Sequence, residues 1–282
     1  MWIWLAVGSA FMLGIYDVAK KQSLKRNSSL GVLLLATAFS TLFLSPWLSA
    51  GPLQDHLRLL VKAALVALAW ISGMEGLRLL PITIASPIKA SRPVFVLLFS
   101  ILLFGERLNA WQWAGTVLAL AALYILSLSG RKEGIRFRSN KGIAWMVVSV
   151  AAGVASALWD KHIMASMQPL FVQSWCNLYV TVLLALITGV TWLRDKAHFQ
   201  PIRWDWNILL IAVFITASDA LYFFSLKDSD ALLSVISMLR RSSVLVTFVL
   251  GAILFKETNI KNKAIALLVL LAGMALIVFG SC

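Results

Sequence analysis

Long apolar stretches separated by short polar breaks make up nearly the whole chain. A helix needs about 20 apolar residues to cross roughly 30 Å of hydrocarbon, and ten stretches of that kind follow one another. They lie at 2–22, 29–49, 58–79, 82–104, 109–129, 142–167, 170–192, 206–226, 231–254 and 262–280. The breaks between them leave no room for a soluble domain. The pattern therefore predicts an all-α membrane protein with ten transmembrane helices.

Composition supports this prediction and narrows the possible functions. Of the 282 residues, 60% are hydrophobic and 13% are charged, whereas about a quarter of the residues in a soluble domain carry charge. The mean hydropathy is +0.87. The two cysteines and three histidines are scattered and lack the spacing of metal ligands or of a disulfide framework. Since no catalytic triad or glycine-rich phosphate loop is present either, we expect no enzyme, no metal and no cofactor.

The net charge of +13 is concentrated in the predicted loops. The loops after odd-numbered spans hold sixteen lysines and arginines, and the loops after even-numbered spans hold four. An excess of basic residues marks the cytoplasmic side of membrane proteins, so we expect this charge to face the lipid bilayer rather than nucleic acid. The same rule predicts a multi-pass protein of the cell (inner) membrane with both termini outside.

Two parts of the chain repeat one another. The segment "FGERLNAWQWAGTVLALAALYIL" after the fourth span matches "FKETNIKNKAIALLVLLAGMALIV" after the ninth and aligns Glu106 with Glu257, 151 residues later. Upstream, "GIYDVAKK" matches "ALWDKHIM" and aligns Asp17 with Asp160. We infer two five-helix repeats, at 1–130 and 141–282. Because five is odd, the copies cross the membrane in opposite directions, and such inverted repeats are typical of secondary transporters.

These paired segments and the ten-span layout resemble the EamA-type members of the drug/metabolite transporter superfamily. The resemblance covers nearly the whole chain and implies a transporter made of two five-helix halves. Two positions depart from the repeat, since Lys256 and Val244 of the second copy align with Gly105 and Pro93 of the first. The family is often drawn with both termini in the cytoplasm, which is the opposite of what the charge count predicts.

Ionisable residues inside the predicted spans are the candidate site residues. An Arg, Lys or Asp at the centre of a span costs about 2.5–3.5 kcal/mol on insertion scales, so such residues seldom face lipid unpaired. The set is Asp17, Lys89, Arg92, Asp160, Lys161, Asp219, Arg240 and Arg241. Lys89 aligns with Arg240 across the repeat, and Lys89 and Arg92 share one helix face. Converging cations predict a site for a phosphate or carboxylate, whereas the alternative is that the three aspartates pair with them.

A second resemblance concerns the same cations. Within the superfamily, the plastid-type sugar-phosphate translocators hold the substrate's phosphate with a lysine on helix four and an adjacent basic pair on helix nine. Lys89 and the pair Arg240 and Arg241 match that arrangement, so the resemblance implies an anionic substrate such as a phosphorylated metabolite. Tyr16 and Trp159 align with each other beside two of the aspartates; they are candidates for stacking on the substrate, or else packing residues.

Asp17 and Asp160 support a further hypothesis. Both lie near the ends of the first helices of their repeats, and a carboxylate desolvated in a cavity can exchange protons near neutral pH. They are therefore candidates for proton coupling. The lysines beside them at 20, 21 and 161 favour instead a permanently ionised, structural role.

Two classes of function remain. The first is a secondary transporter that moves a small polar metabolite, anionic by preference, through alternating access; its alternative within transport is a proton-coupled exporter of amino acids or amphipathic drugs. The other class is a non-transporting scaffold or lipid-binding subunit. Helices five and ten have uncharged cores with small residues at Gly115, Ala119 and Gly273, which predicts a scaffold or a homodimer surface. The expected partners are a small-molecule substrate, the bilayer and, as one option, a second copy of the chain.

Overall fold

Every regular element in the described part of the chain is a helix. The computed structural model describes residues 2–92, 94–95, 109–131, 135–163, 166–194, 203–226, 242–257 and 259–280. In chain order its α-helices are α1 (Trp2–Ser23), α2 (Ser29–Leu44), α3 (Leu53–Leu79), α4 (Ile82–Ala90), α5 (Ala110–Arg131), α6 (Lys141–Ile163), α7 (Pro169–Arg194), α8 (Trp206–Leu226), α9 (Ser243–Phe255) and α10 (Ile260–Phe279), and a 3-10 turn follows α2 at Ser45–Trp47.

One of these helices overlaps each of the ten predicted spans, which confirms the prediction of an all-α membrane protein. Five helical stretches in the described residues are by themselves long and apolar enough to cross a bilayer: Ser29–Trp47, Leu53–Leu79, Ala110–Gly130, Leu170–Arg194 and Ile260–Ile277. The protein is therefore embedded in a membrane.

Several helix boundaries differ from the prediction, among them the start of α3 and the end of α4. α3 begins at Leu53 rather than at 58, because Pro52 is an extended N-cap and Asp55 lies in the first turn, where a carboxylate favours the helix dipole. α4 ends at Ala90 with a turn at Ser91. The turn comes shortly after Pro87, which removes a backbone hydrogen bond from the helix. Most of the predicted remainder of this span, up to 104, lies outside the described residues.

The helix contacts follow a pseudo-twofold pattern. A twofold relation between the repeats makes α1 equivalent to α6, α2 to α7 and α3 to α8. The contact of α1 with α8 then has its counterpart in the contact of α6 with α3, and the contact of α2 with α8 has its counterpart in the contact of α7 with α3. All four contacts are present. The pairs α2 with α7, α4 with α9 and α5 with α10 map onto themselves. Matching helices thus lie side by side, as in an inverted repeat, and the predicted two-repeat fold is confirmed. The repeat limits of 1–130 and 141–282 stay a prediction.

α5 and α10 approach each other through small residues. A Cβ added at Gly115 would lie 2.5 Å from the carbonyl oxygen of Gly273, and one added at Gly273 would lie 2.8 Å from the backbone nitrogen of Ala119. Residues without bulk allow helix backbones to pack this closely. The small residues expected on a scaffold or dimer surface therefore contact each other within one chain, and the homodimer stays a prediction.

The link between α9 and α10 fixes the start of α4. Glu257 accepts hydrogen bonds from the backbone N–H groups of Ile82 (Oε1, 2.7 Å) and Thr83 (Oε2, 3.1 Å), and from the Thr83 hydroxyl. Such donors have no partner within a helix, and a carboxylate there also favours the helix dipole. The fully buried Lys263 ammonium lies 3.8 Å from Glu257 Oε2. Glu257, which aligns with Glu106 across the repeat, thus caps the N-terminus of α4, the helix that carries Lys89.

α9 ends in a residue with left-handed backbone. Lys256 has φ 49° and ψ 46°, a conformation that glycine adopts freely and other residues adopt at a cost. The aligned residue of the first repeat is Gly105. The position therefore favours glycine, and Lys256 occupies it at a cost in stability.

Candidate substrate-binding site

A cavity with two adjacent lobes lies between the repeats. The first, which we name the basic lobe, has a volume of about 360 Å³ and is lined by Asp17, Lys89 and parts of α1, α3, α4, α6, α8 and α9. The second, the polar lobe, has a volume of about 430 Å³ and is lined by Asp219, Gln173 and parts of α1, α2, α3, α6, α7 and α8. The lobes share Tyr16, Lys20, Trp70, Met74, Arg92 and Ile215. Each volume suits a small metabolite.

The charged side chains of the cavity are unbalanced. Among the described residues that line the two lobes, the cations are Lys20, Lys62, Lys89 and Arg92, and the anions are Asp17 and Asp219. A concave site lined mainly by one sign of charge raises the local concentration of ions of the opposite sign. The described lining of the cavity therefore carries more positive than negative charge.

Asp17 and Lys89 form an ion pair that joins α1 to α4. Lys89 Nζ donates to Asp17 Oδ1 at 2.7 Å. The Asp17 side chain is 14% exposed and the Lys89 side chain is 41% exposed, so the pair lies at the cavity surface rather than in the packed core. One of the pairings that the sequence sets against anion binding is therefore present in the structure.

Lys20 reaches the basic lobe from the next turn of α1. It follows Tyr16 by four residues and Asp17 by three, so the three side chains share one helix face. Its ammonium lies 3.8 Å from the centroid of the Tyr16 ring, and the residue is 7% exposed. A ring face attracts a cation without neutralising it. The neighbouring Lys21 is turned away and donates to backbone carbonyls at the C-terminal end of α3.

Arg92 enters the cavity just beyond the end of α4. Its guanidinium packs against Gly153 of α6, where any Cβ would collide with it, so the glycine provides the space that the guanidinium occupies. The Arg92 Nε is buried and has no hydrogen-bond partner among the described residues. Arg92 therefore brings to the cavity a donor that the described protein atoms do not satisfy.

Hydrogen-bonding side chains line the polar lobe. Gln173 Nε2 donates to Asp219 Oδ2 at 3.2 Å, and Asn177 Nδ2 donates to Thr41 Oγ1 at 2.9 Å. Gln173 Oε1 is buried and accepts no hydrogen bond from a described group. The polar lobe thus offers acceptors, whereas the basic lobe offers donors.

The structure brings several of the predicted site residues to this cavity. They are Tyr16, Asp17, Lys89, Arg92 and Asp219. Trp159 lies outside both lobes, where its indole Nε1 donates to the backbone carbonyl of Arg58 at 3.1 Å. The remaining predicted residues lie outside the described part of the chain: Arg240 and Arg241 entirely, and Asp160 and Lys161 as far as their side chains are concerned. Their roles stay predictions.

Sequence reasoning missed Lys20, Lys62 and Trp70 as cavity residues. The charge count assigns both lysines to loops because they lie near the ends of apolar stretches, yet α1 and α3 extend past them. For Lys20, its helical spacing from Asp17 was a signal that could have found it. For Trp70 there is no comparable signal in a chain with twelve tryptophans.

Comparisons with known proteins point to transport. The model of the EamA-like transporter family matches residues 1–128 and 140–279. The uncharacterised transporter YvbV of Bacillus subtilis (strain 168) is 25% identical over 241 residues, which cover 82% of this chain and 72% of that protein. An uncharacterised transporter of Archaeoglobus fulgidus is 23% identical over 231 residues, which cover 76% of this chain and 79% of that protein.

A solved crystal structure of another protein shares the fold. It aligns with a TM-score of 0.63 at 17% identity and covers 96% of this chain and 94% of its own. The family match falls once in each half of a chain whose helices pair in a pseudo-twofold pattern. The chain therefore belongs to the EamA-like transporter family and is a membrane transporter, consistent with the drug/metabolite transporter superfamily.

Proposed function

We propose that the protein is a secondary transporter that moves a small anionic metabolite, chemically unchanged, across the cell membrane by alternating access. The observation that carries the proposal is the charge of the cavity, where four cationic side chains face two carboxylates among the described lining residues. Cations at membrane depth are costly unless another charge offsets them. A bound anion would reduce the excess of positive charge among the described lining residues.

The place of the cavity supports alternating access. Helices of both repeats line each lobe, so rocking one repeat against the other would change the membrane face to which the cavity opens. α5 and α10 line neither lobe in the described structure and pack against each other across the repeats. They are suited to hold the repeats together while the other helices move.

A second candidate substrate is a zwitterion such as an amino acid. The polar lobe favours it, because the Asp219 carboxylate and the Gln173 amide oxygen are acceptors and an ammonium group is a donor only. Such a substrate would place its carboxylate in the basic lobe and its ammonium in the polar lobe. An anion without an amino group would use its hydroxyl groups at the same acceptors.

Thermal stabilisation of the purified protein tests the proposal. The detergent-solubilised protein is heated with phosphorylated sugars, nucleotides, carboxylates and amino acids, because a ligand that binds only the folded state raises Tm as its concentration exceeds Kd. We expect at least one phosphate or carboxylate to raise Tm, and the matching neutral sugars to leave it unchanged. Stabilisation by zwitterions alone would select the second candidate, and stabilisation by cations alone would contradict both.

A further inference from the structure

We propose that Lys20 and Arg92, rather than Lys89, form the seat for the anionic group of the substrate. The seat takes an oxyanion, either a carboxylate or a phosphate monoester, at the place where the two lobes meet. This inference rests on the proposed function and names the side chains that carry it.

Lys89 already has a carboxylate partner. Its ammonium donates to Asp17 Oδ1 at 2.7 Å, a charge-assisted hydrogen bond of the strong kind. An incoming anion would have to displace Asp17 before it could bind there. The Lys89 side chain is also 41% exposed, so surrounding water weakens its attraction for an anion.

Lys20 has no such partner. The described carboxylates form no ion pair with its ammonium, which contacts instead the face of the Tyr16 ring. Two further cations, Lys89 and Arg92, line the basic lobe together with Lys20, against the one carboxylate of Asp17. A buried cation among like charges is costly unless a counter-ion is bound. A bound anion would therefore give Lys20 more electrostatic stabilisation than it would give Lys89.

Arg92, which like Lys20 belongs to the first repeat, completes the seat from just beyond the end of α4 and packs against α6 of the second repeat. Its buried Nε donor has no partner among the described atoms, and Gly153 keeps open the space for its guanidinium. A guanidinium presents its donors in a fixed fork that fits carboxylate and phosphate oxygens. Because Lys20 and Arg92 line both lobes, an anion between them leaves the rest of the substrate free to extend into the polar lobe.

Substitutions at the two lysines separate the two possible seats. The probes are inorganic phosphate and succinate, added to the purified full-length protein at constant ionic strength, and the readout is the concentration that gives half of the maximal rise in Tm. We expect Lys20→Met to need at least about tenfold more of either probe, which corresponds to about 1.4 kcal/mol. Lys20→Arg keeps the cation and should respond like the parent. The double variant Asp17→Asn, Lys89→Met removes the ion pair as a unit and should also keep the response.

Two further comparisons distinguish binding from a structural role. Lys20→Met removes a buried charge, so the ligand-free variant should be at least as thermostable as the parent. Lys25→Met is the matched control, because the Lys25 ammonium lies 4.5 Å from the Phe255 ring centroid and lines neither lobe; its response should not change. Gly153→Ala tests Arg92 independently, since it displaces the guanidinium without removing its charge and should weaken the response.

The outcomes separate the seat from the proposed function. If the parent responds to phosphate or succinate but Lys20→Met responds equally, the seat is wrong and the proposed function stands. A Lys20→Met protein that is less thermostable and keeps the response would likewise overturn the seat in favour of a structural lysine. If neither probe stabilises the parent while another anion of the panel of phosphorylated sugars, nucleotides and carboxylates does, the seat is wrong and the proposed function stands; if no anion of the panel stabilises the parent, the proposed function fails.

Discussion

At the scale of single residues, buried charge is held by specific groups of the protein. Asp17 and Lys89 form an ion pair at 2.7 Å. Lys21 donates hydrogen bonds to backbone carbonyls at the C-terminal end of α3. Glu257 accepts hydrogen bonds from the first backbone N–H groups of α4. Helix ends carry partial charges that such side chains complement. These charged side chains stabilise contacts between helices or helix ends. Lys20 differs from them, because its described contact is an aromatic ring.

Glu257→Ala should destabilise the protein. Loss of the hydrogen bonds to Ile82 and Thr83 costs about 1–2 kcal/mol, as for other N-cap deletions, and Lys263 loses this carboxylate as well. The measurement is Tm in detergent. Glu75→Ala is the control, because Glu75 makes an exposed pair with Arg78 at 3.6 Å and should cost less than about 1 kcal/mol. Equal losses in the two variants would refute the capping role of Glu257.

At the scale of helices, glycines set the distance between the repeats. Gly115 and Gly273 meet where α5 packs on α10, Gly14 of α1 faces α9, and Gly251 of α9 faces Ile82 of α4; a Cβ at any of these glycines would collide with the opposite helix. Each contact joins the first repeat to the second. Close backbone approach through small residues is a main source of helix association in membranes, so these contacts hold the cavity walls together.

Gly273→Ala should therefore destabilise the protein by about 1–3 kcal/mol, the usual cost of overpacking a tight contact. Gly189→Ala is the matched control: Gly189 lies in α7 with no atom within 4 Å of its added Cβ. There, alanine should be neutral or stabilise the helix by up to about 1 kcal/mol. Thermal unfolding in detergent compares the two. Unchanged stability of Gly273→Ala would show that the α5 and α10 contact tolerates a methyl group and contradict its close packing.

The sequence predicts the helices better than it predicts the site, for a physical reason. The length of an apolar stretch is a local property, so the spans follow from the chain alone, and the alignment of Glu106 with Glu257 predicts the two five-helix repeats. The partner of Lys89 does not follow, because three aspartates lie within spans and the sequence contains no distances. Trp159 aligns with Tyr16 yet lines neither lobe, and its indole donates to the backbone carbonyl of Arg58.

At the scale of the whole molecule, the cavity between the two repeats links the fold to the proposed function. Both repeats line it, its described charges are predominantly positive, and the chain belongs to a transporter family. Under the proposed function, the lining helices are the moving parts and the cations set the selectivity for an anion.

Counterflow into proteoliposomes measures anion transport by the protein itself. Vesicles containing the protein are preloaded with the unlabelled anion that gives the largest rise in Tm, then diluted into the same anion carrying a radiolabel. We expect transient, saturable accumulation of label by the parent, strong loss of this accumulation in Arg92→Gln and parent-like accumulation in Lys25→Met. Label that enters no faster than into protein-free vesicles, while a neutral or cationic compound is exchanged, would contradict the proposed function.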